Sequence, residues 1–203
     1  MLTKGRLLFP FRYFHDELRF LTYKRNVAEY VASICEDGSS VLDVGCDDGT
    51  VSKMILDFKP ALRIVGVDVQ ANSPSKIEKK VYNGKNLPFP AGSFDTVMAL
   101  DVLHHIPDIP AMLEEMKKVS RKHIIIKDHL VCGPLSRLIV GVADYISNVG
   151  YGIKCAFNYL SLKEFEALFR MHNLEVVEVN RNLNLGFGQF KRYHVIFKLR
   201  KVT

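Results

Sequence analysis

Short apolar runs alternate with stretches of helical period along most of this chain. Val41, Leu42, Asp43 and Val44 form an apolar run carrying one carboxylate, which reads as a buried strand. A turn punctuated by Gly45 and Gly49 follows. The apolar period then resumes over residues 52–58, where Met54, Ile55 and Phe58 predict a helix with one packed face. Strand, glycine turn, helix is the opening unit of an open α/β sheet, whose crevice at the carboxyl end of the strand holds nucleotide-like ligands. Further strands are expected at residues 63–68, briefly near 80–82, at 94–100 and at 123–127. Between the last two, Asp108 is a plausible cap for a helix that buries Ile109, Met112, Leu113, Met116 and Val119.

The flanking segments follow the same logic. Before the first strand, residues 7–34 mix aromatic and basic side chains. From Asp16 the positions Leu18, Leu21, Val27, Tyr30, Val31 and Ile34 recur at helical spacing. After the fifth strand, residues 130–159 fit no standard crossover. Gly133 and Pro134 lead into an apolar helix-like run over 135–146, in which Asp144 and Asn148 share a face near Arg137 and Gly141. That face is either directed into a pocket or the wet side of a lid. Ser161 and Glu164 form a capping box for a helix with Leu162, Phe165, Leu168 and Phe169 inward, and residues 174–179 and 194–199 alternate as strands.

The glycine turn narrows the ligand. A dinucleotide fingerprint needs glycine where Asp47 stands, and three acids around one turn (Asp43, Asp47, Asp48) would repel a pyrophosphate. They suit a cationic ligand end, such as the ammonium and sulfonium of S-adenosylmethionine. VLDVGCDDGT at 41–50 resembles motif I of the class I S-adenosylmethionine-dependent methyltransferases. RIVGVD at 63–68 resembles the family's second strand with its terminal acid, and LPFPAGSFDTVMALDVLHHI at 87–106 resembles the loop and fourth strand of its type 11 branch.

The resemblance implies a Rossmann-like doubly wound seven-stranded sheet of order 3-2-1-4-5-7-6, with the last strand antiparallel and helices on both faces. It implies one methyltransferase domain over 1–203, divided into a helical cover (1–39), a cofactor-binding core (40–129), an acceptor lid (130–160) and a closing helix with a strand pair (161–203). S-adenosylmethionine would be held by Asp43, Gly45, Cys46, Asp47 and Gly49 of the turn, and by Asp68 on the ribose hydroxyls with Val69 beside it. Asn83 and Gly84 would meet the adenine, and the backbone of Ala99 and Leu100 the methionine amine. Asn83 departs from the family, which places an aspartate there. Tyr13 or Arg19 of the cover is a candidate lid contact.

Methyl transfer is an in-line displacement at carbon. Alignment alone can supply about 7–11 kcal/mol of barrier reduction, against roughly 3–5 kcal/mol for a general base. Positioning therefore dominates. The candidate catalytic groups are His105, in the stretch where the family places a residue beside the reacting sulfonium, then Asp101 and His129, with His104 and Asp128 behind them. No metal site is expected, because adjacent histidines on a turn splay apart and lack the i, i+4 spacing of zinc helices.

Composition changes this picture little. Nearly half of the 203 residues are apolar and a quarter are charged, the balance of a globular protein. No apolar run reaches membrane-spanning length, no secretory signal is expected, and four cysteines without a C-x-x-C pair point to the cytoplasm. The net charge of +6 gathers in the last part of the chain, where Arg181, Lys191, Arg192, Lys198, Arg200 and Lys201 occur without an acid. A solvated face is the simpler reading of these charges than an RNA track. The expected activity is methyl transfer to a small-molecule or lipid-like acceptor by a monomer or homodimer, without nucleic acid. The alternatives are an RNA methyltransferase and a catalytically silent protein that binds the cofactor.

Overall fold

The computed structural model describes the backbone of residues 10–70, 74–148, 156–182 and 193–202, and the side chains of these except residues 10–20, 143 and 146–148. The elements are α1 (Pro10–Ile34), β1 (Ser40–Val44), α2 (Thr50–Phe58), β2 (Arg63–Asp68), β3 (Glu78–Val81), β4 (Phe94–Leu100), α3 (Ile109–Val119), β5 (Ser120–His129), α4 (Pro134–Asn148), α5 (Leu162–Met171), β6 (Leu174–Asn180) and β7 (His194–Lys201). A 3-10 turn, Leu103–His105, lies between β4 and α3.

The strands join in one sheet of order β3-β2-β1-β4-β5-β7-β6, parallel except for β7, which runs antiparallel to both β5 and β6. The chain builds outward from β1 to β3, then returns to the other side of β1 to lay down β4. This reversal opens a crevice between the carboxyl ends of β1 and β4.

Strand parity sorts the core into two layers. Val41, Met98, Ile125 and Ile196 face α1 and α2, where Val27, Val31 and Ile55 cover them. Leu42, Val97, Ile124, Ile126 and Phe197 face α3 and α5, where Met112, Leu113, Phe165 and Phe169 close the other side. The same alternation, carried to the end of β5, sends Lys127 to the α1 side and Asp128 to the α3 side.

Two expected helix starts hold in detail. Asp108 accepts from the Ala111 amide at 3.0 Å, and Ser161 and Glu164 form a reciprocal capping box. Other expectations are corrected. α1 begins at Pro10 rather than near Asp16, and Leu21 of its supposed stripe is 43% exposed. In α2 the buried residues are Ser52 and Ile55, while Phe58 is exposed beneath the guanidinium of Arg25. β3 lies at 78–81, slightly before the expected position, and β5 extends three residues earlier and two later than expected. Asp128 and His129 are therefore its last strand residues. β6 ends the sheet, so Val176, Val177 and Val179 remain largely exposed despite their alternation. Among the described residues, no helix is long and apolar enough to cross a membrane.

Candidate functional site

The mouth of β1 and β2 is built almost entirely from backbone. Gly45 and Gly49 adopt φ of 74° and 71°, and a Cβ on Gly45 would lie 2.4 Å from a Val102 methyl. No other residue fits that position. The amides of Gly45 and Cys46 both donate to the Val67 carbonyl. Gly66 is equally constrained, since a Cβ there would meet Cys46 Sγ at 2.4 Å.

Asp68, 7% exposed, accepts from the amides of Asp47 and Gln70, each at 2.8 Å. These two bonds fix its carboxylate at the strand mouth. Asp43 is 4% exposed and accepts from Ser52 Oγ at 2.6 Å. Burial, reinforced by the nearby Asp68 charge and opposed by the Ser52 bond, raises its pKa from 3.8 to about 6.

The other two acids play different parts. Asp47 is exposed in a left-handed conformation (φ 49°). Asp48 turns away to hold the start of α2, accepting from Thr50 N and Oγ1 at 2.9 and 2.7 Å and pairing with Lys76. The expectation of three acids converging on one ligand end is therefore corrected. Asp43 and Asp68, on adjacent strands, form the acidic pair.

Downstream, Val69 is 56% exposed and lies against Gly84 (φ 75°), where an added Cβ would come within 3.2 Å of a Val69 methyl. The Asn83 Oδ1, expected to accept from an adenine, accepts instead from the amides of Lys85 and Asn86, each at 2.9 Å. Its carbonyl organises the loop, which leaves the amide nitrogen as the polar group it can turn to a ligand. Ala99, fully buried, and Leu100 close β4 opposite this mouth.

The mouth of β4, β5 and β7 is made of side chains instead. On the α1 face, Asp101 sits just past β4 with φ 57°, its amide bonded to the Lys127 carbonyl at 2.8 Å. Its carboxylate, 31% exposed, accepts from Tyr23 OH at 2.5 Å and from the Lys127 ammonium. Lys127 has no exposed surface. It also donates to Tyr23 OH and lies 3.1 Å from His194 Nδ1. Desolvation pulls the Lys127 pKa down to about 7. The same desolvation, with the charges of Asp128 and Asp144, pushes Asp101 well above the usual carboxylate range. The His129 ring packs between those of His194 and His104 at 4.8 and 4.9 Å. Burial, then the charges of Lys127 and His104, hold His129 at about 3, so it stays neutral.

On the opposite face, Asp128 (1% exposed) meets His104 Nδ1 at 2.5 Å, and its Oδ2 accepts from the His104 amide at 3.2 Å. The far nitrogen of His104 lies 3.6 Å from Asp144 Oδ1, and His105 Nε2 lies 4.0 Å from the same oxygen. Asp144 Oδ2 accepts from Tyr159 OH at 2.6 Å. Burial opposes a charge on His104, but the two carboxylates outweigh it and raise its pKa to about 10. Burial alone would raise Asp128, and the His104 charge overrides it, to about 2. Asp144 thus faces inward, and α4 turns Leu135 and Leu138 outward, 71% and 64% exposed.

Asp101, His105 and His129 therefore meet in one crevice, joined by His104, Asp128 and Asp144. The side chains of Tyr13, Arg19 and Asn148 lie outside the described residues. Tyr23, Lys127, Tyr159 and His194 were not among the sequence candidates. Only Lys127 carried a signal, as a lone charge at the end of an apolar strand.

So many buried ionisable groups add little stability over an apolar packing of the same volume, and such clusters mark functional sites. The comparisons with known proteins agree with the setting. A family model described as a methyltransferase domain matches residues 15–179. The 27-O-demethylrifamycin SV methyltransferase of Amycolatopsis mediterranei is 25% identical over 153 residues, which are 68% of this chain and 54% of that protein. A tRNA U34 carboxymethyltransferase of Nautilia profundicola is 36% identical over 92 residues, 40% of this chain and 30% of its own. The chain thus spans about half or less of the length of these curated relatives. A SAM-dependent methyltransferase of Methanosarcina mazei shares the fold, with a TM-score of 0.63 over 85% of this chain and 97% of its own at 15% identity. The sheet order, the glycine turn under Asp43 and Asp68, and a match running through most of the sequence have one common explanation: the chain belongs to the class I S-adenosylmethionine-dependent methyltransferases.

Proposed function

We propose that the chain methylates an O–H or N–H group of a small or lipid-like acceptor seated over the ends of β4 and β5. The observation that carries this reading is the Asp101–Lys127–Tyr23 cluster, a partly open carboxylate over a fully buried ammonium beside the cofactor crevice.

The residues of the β1–β2 mouth fit S-adenosylmethionine. Asp68, fixed by two amides, has lone pairs left for the ribose hydroxyls. Asp43 supplies negative charge toward the methionine ammonium, with Gly45, Cys46, Asp47 and Gly49 as the turn beneath. Exposed Val69 with half-buried Gly84 beside it makes an apolar wall suited to a purine, with the Asn83 amide available to a ring nitrogen. When bound, this cofactor supplies an electrophilic methyl group and a neutral thioether leaving group.

Asp101 is the proton acceptor in this proposal. It takes the acceptor's proton on a carboxylate oxygen while Lys127 holds the other oxygen in place. Burial draws the Lys127 ammonium down and the Asp101 carboxyl up, which favours a proton settling on the carboxylate. His129, kept neutral, lines the crevice without adding positive charge. His105, 20% exposed on its side chain, faces Asp144.

Three of the six basic residues of the tail favour a small acceptor over RNA, because the fold itself engages them. Lys198 donates to the Ile34 carbonyl, Arg200 pairs with Glu175, and Lys201 donates to the carbonyls of Lys117 and Ser120. Those charges are committed to the chain's own structure.

The test is calorimetric titration with S-adenosylmethionine, then a screen of small hydroxylated, aminated and lipid-like acceptors and of tRNA for S-adenosylhomocysteine release. Saturable binding with turnover on one class of small acceptor is the expected result. Turnover on tRNA alone, or binding with no turnover on any class, would overturn the proposal in favour of an RNA enzyme or a silent binding protein.

A further inference from the structure

Among the described residues, two groups of side chains in the crevice have the composition of metal sites. Asp101, His129 and His194 form one, and His104, His105 and Asp144 the other. The first already contains a cation, since the Lys127 ammonium donates to Asp101 and reaches His194. The second is built differently.

The expectation that adjacent histidines splay apart does not hold for His104 and His105. The 3-10 turn brings their ring centroids to 4.0 Å, with both Nε2 atoms directed at Asp144 Oδ1, 3.6 and 4.0 Å away. Zinc–ligand bonds of about 2.0–2.2 Å in a tetrahedral site place ligand atoms roughly 3.3–3.6 Å apart; His104 Nε2 and Asp144 Oδ1 already stand at that separation, and the three ligand atoms all lie within 4.8 Å of one another.

Each ligand is also oriented from behind. Asp128 holds His104 Nδ1 at 2.5 Å, which is the carboxylate–histidine–metal arrangement, and Tyr159 holds the other oxygen of Asp144 at 2.6 Å. His104 Nε2 and Asp144 Oδ1 converge at 3.6 Å. Asp128 and Asp144 flank His104 at its two ring nitrogens, so the space between them favours positive charge.

We propose that His104, His105 and Asp144 bind a divalent transition-metal ion of the zinc class, through two imidazole Nε2 atoms and one carboxylate oxygen. A fourth position would be open on the side of His105. Neutral imidazole with one carboxylate suits Zn²⁺ and Co²⁺ rather than Mg²⁺ or Ca²⁺, which take oxygen ligands. That a bound ion would hold an acceptor oxygen at the open position rests on the methyltransferase reading. The binding site itself does not.

The full chain, freed of metal by chelator and dialysis, is titrated with Co²⁺ and then Zn²⁺. The expected result is one Co²⁺ per chain, with visible d–d bands of a four- or five-coordinate nitrogen and oxygen site, lost on stoichiometric Zn²⁺ addition. His105→Ala and Asp144→Asn should weaken binding at least 100-fold, and Asp128→Asn by about 10–100-fold. His172→Ala, which pairs with Glu114 away from the crevice, should leave it unchanged. Circular dichroism and thermal melting of each variant separate lost ligands from lost fold, and partly exposed His105 is the variant least able to disturb the core.

Two results would overturn the site: no saturable uptake by the unmodified chain, or uptake that survives His105→Ala and disappears with His129→Ala. Parallel S-adenosylmethionine isotherms on the same samples keep the two readings apart. Uptake of the ion by a chain indifferent to the cofactor supports this site and overturns the methyltransferase reading. Cofactor binding without ion uptake does the reverse.

Discussion

The two halves of the crevice are assembled by opposite means. Around β1 and β2, carboxylates are placed chiefly by backbone amides: Asp68 by Gln70 two positions on and by Asp47 of the neighbouring glycine turn, Asp48 by Thr50. Around β4, β5 and β7, side chains hold one another across 15 to 104 positions of sequence, as in Asp144 with Tyr159 and Lys127 with Tyr23. A site tied to backbone tolerates changes to its neighbours, because its geometry survives them. A site of mutually supporting side chains couples every member to the others, and removal of one leaves buried partners unsatisfied. Substitutions should therefore have separable, local effects in the first half and large, shared ones in the second.

The largest effect is expected at Asp101. Asp101→Asn keeps the shape but cannot take a proton, and it leaves the Lys127 ammonium without its anionic partner. Turnover should fall by about 10²–10⁴-fold, the range for loss of a positioned base, while S-adenosylmethionine affinity changes less than threefold. Steady-state kinetics beside a cofactor titration reads both. An equal loss in cofactor affinity would show that the halves are not separable.

Asp43→Asn probes the same boundary through stability. Because folding raises this carboxyl's pKa from 3.8 to about 6, the folded state binds its proton more tightly than the unfolded state. The stability it contributes is complete below about pH 4 and is lost as pH rises through 6. Above that, the buried charge costs about 3 kcal/mol. The neutral amide should therefore stabilise the chain by about 2–3 kcal/mol at pH 8 and by almost nothing at pH 3.5. Denaturant midpoints at the two pH values measure this, and the stabilised variant should bind S-adenosylmethionine more weakly. Stability gained with no change in affinity would remove Asp43 from the cofactor site.

Asp68→Ala should weaken cofactor binding by about 1.5–3 kcal/mol, the range for a charged hydrogen-bond partner, without shifting the pH dependence of any residual turnover. Unchanged affinity would detach β2 from the site.

This contrast also decides what was legible in the sequence. The strand mouths at Asp43 and Asp68 could be read because each motif encodes its own geometry within a few residues. Glycines at 45 and 49 and an acid ending an apolar strand state their conformations locally. Asp48 was misassigned because a carboxylate near a helix start can serve the helix or a ligand, and only the Thr50 contacts decide. Asn83 was misread for a similar reason, since its acceptor oxygen is spent on its own loop. For Tyr23, Tyr159 and His194 no local pattern existed. α1, the 158–160 segment and the antiparallel return of β7 bring them in, and a tyrosine on a helix or a histidine at a strand start reads as packing. Strand parity could have placed Lys127 and Asp128 on opposite faces, yet nothing in residues 123–129 says what waits on each side.

Asp47 sets the finest test. Its left-handed backbone (φ 49°) costs an L-residue about 1 kcal/mol that glycine avoids, while glycine loses a similar amount by freeing the unfolded chain. Asp47→Gly should therefore leave stability within about 0.5 kcal/mol. What Asp68 receives from this position is the backbone amide, which the substitution retains, so cofactor affinity should change less than threefold. Measuring that affinity at low and high salt sharpens the result. If the backbone alone defines this mouth, the ratio of variant to parent affinity is the same at both. A ratio that moves with salt would show the exposed carboxylate acting on the ligand through its charge, and the first half of the crevice would then owe part of its binding to side-chain electrostatics, as the second half does.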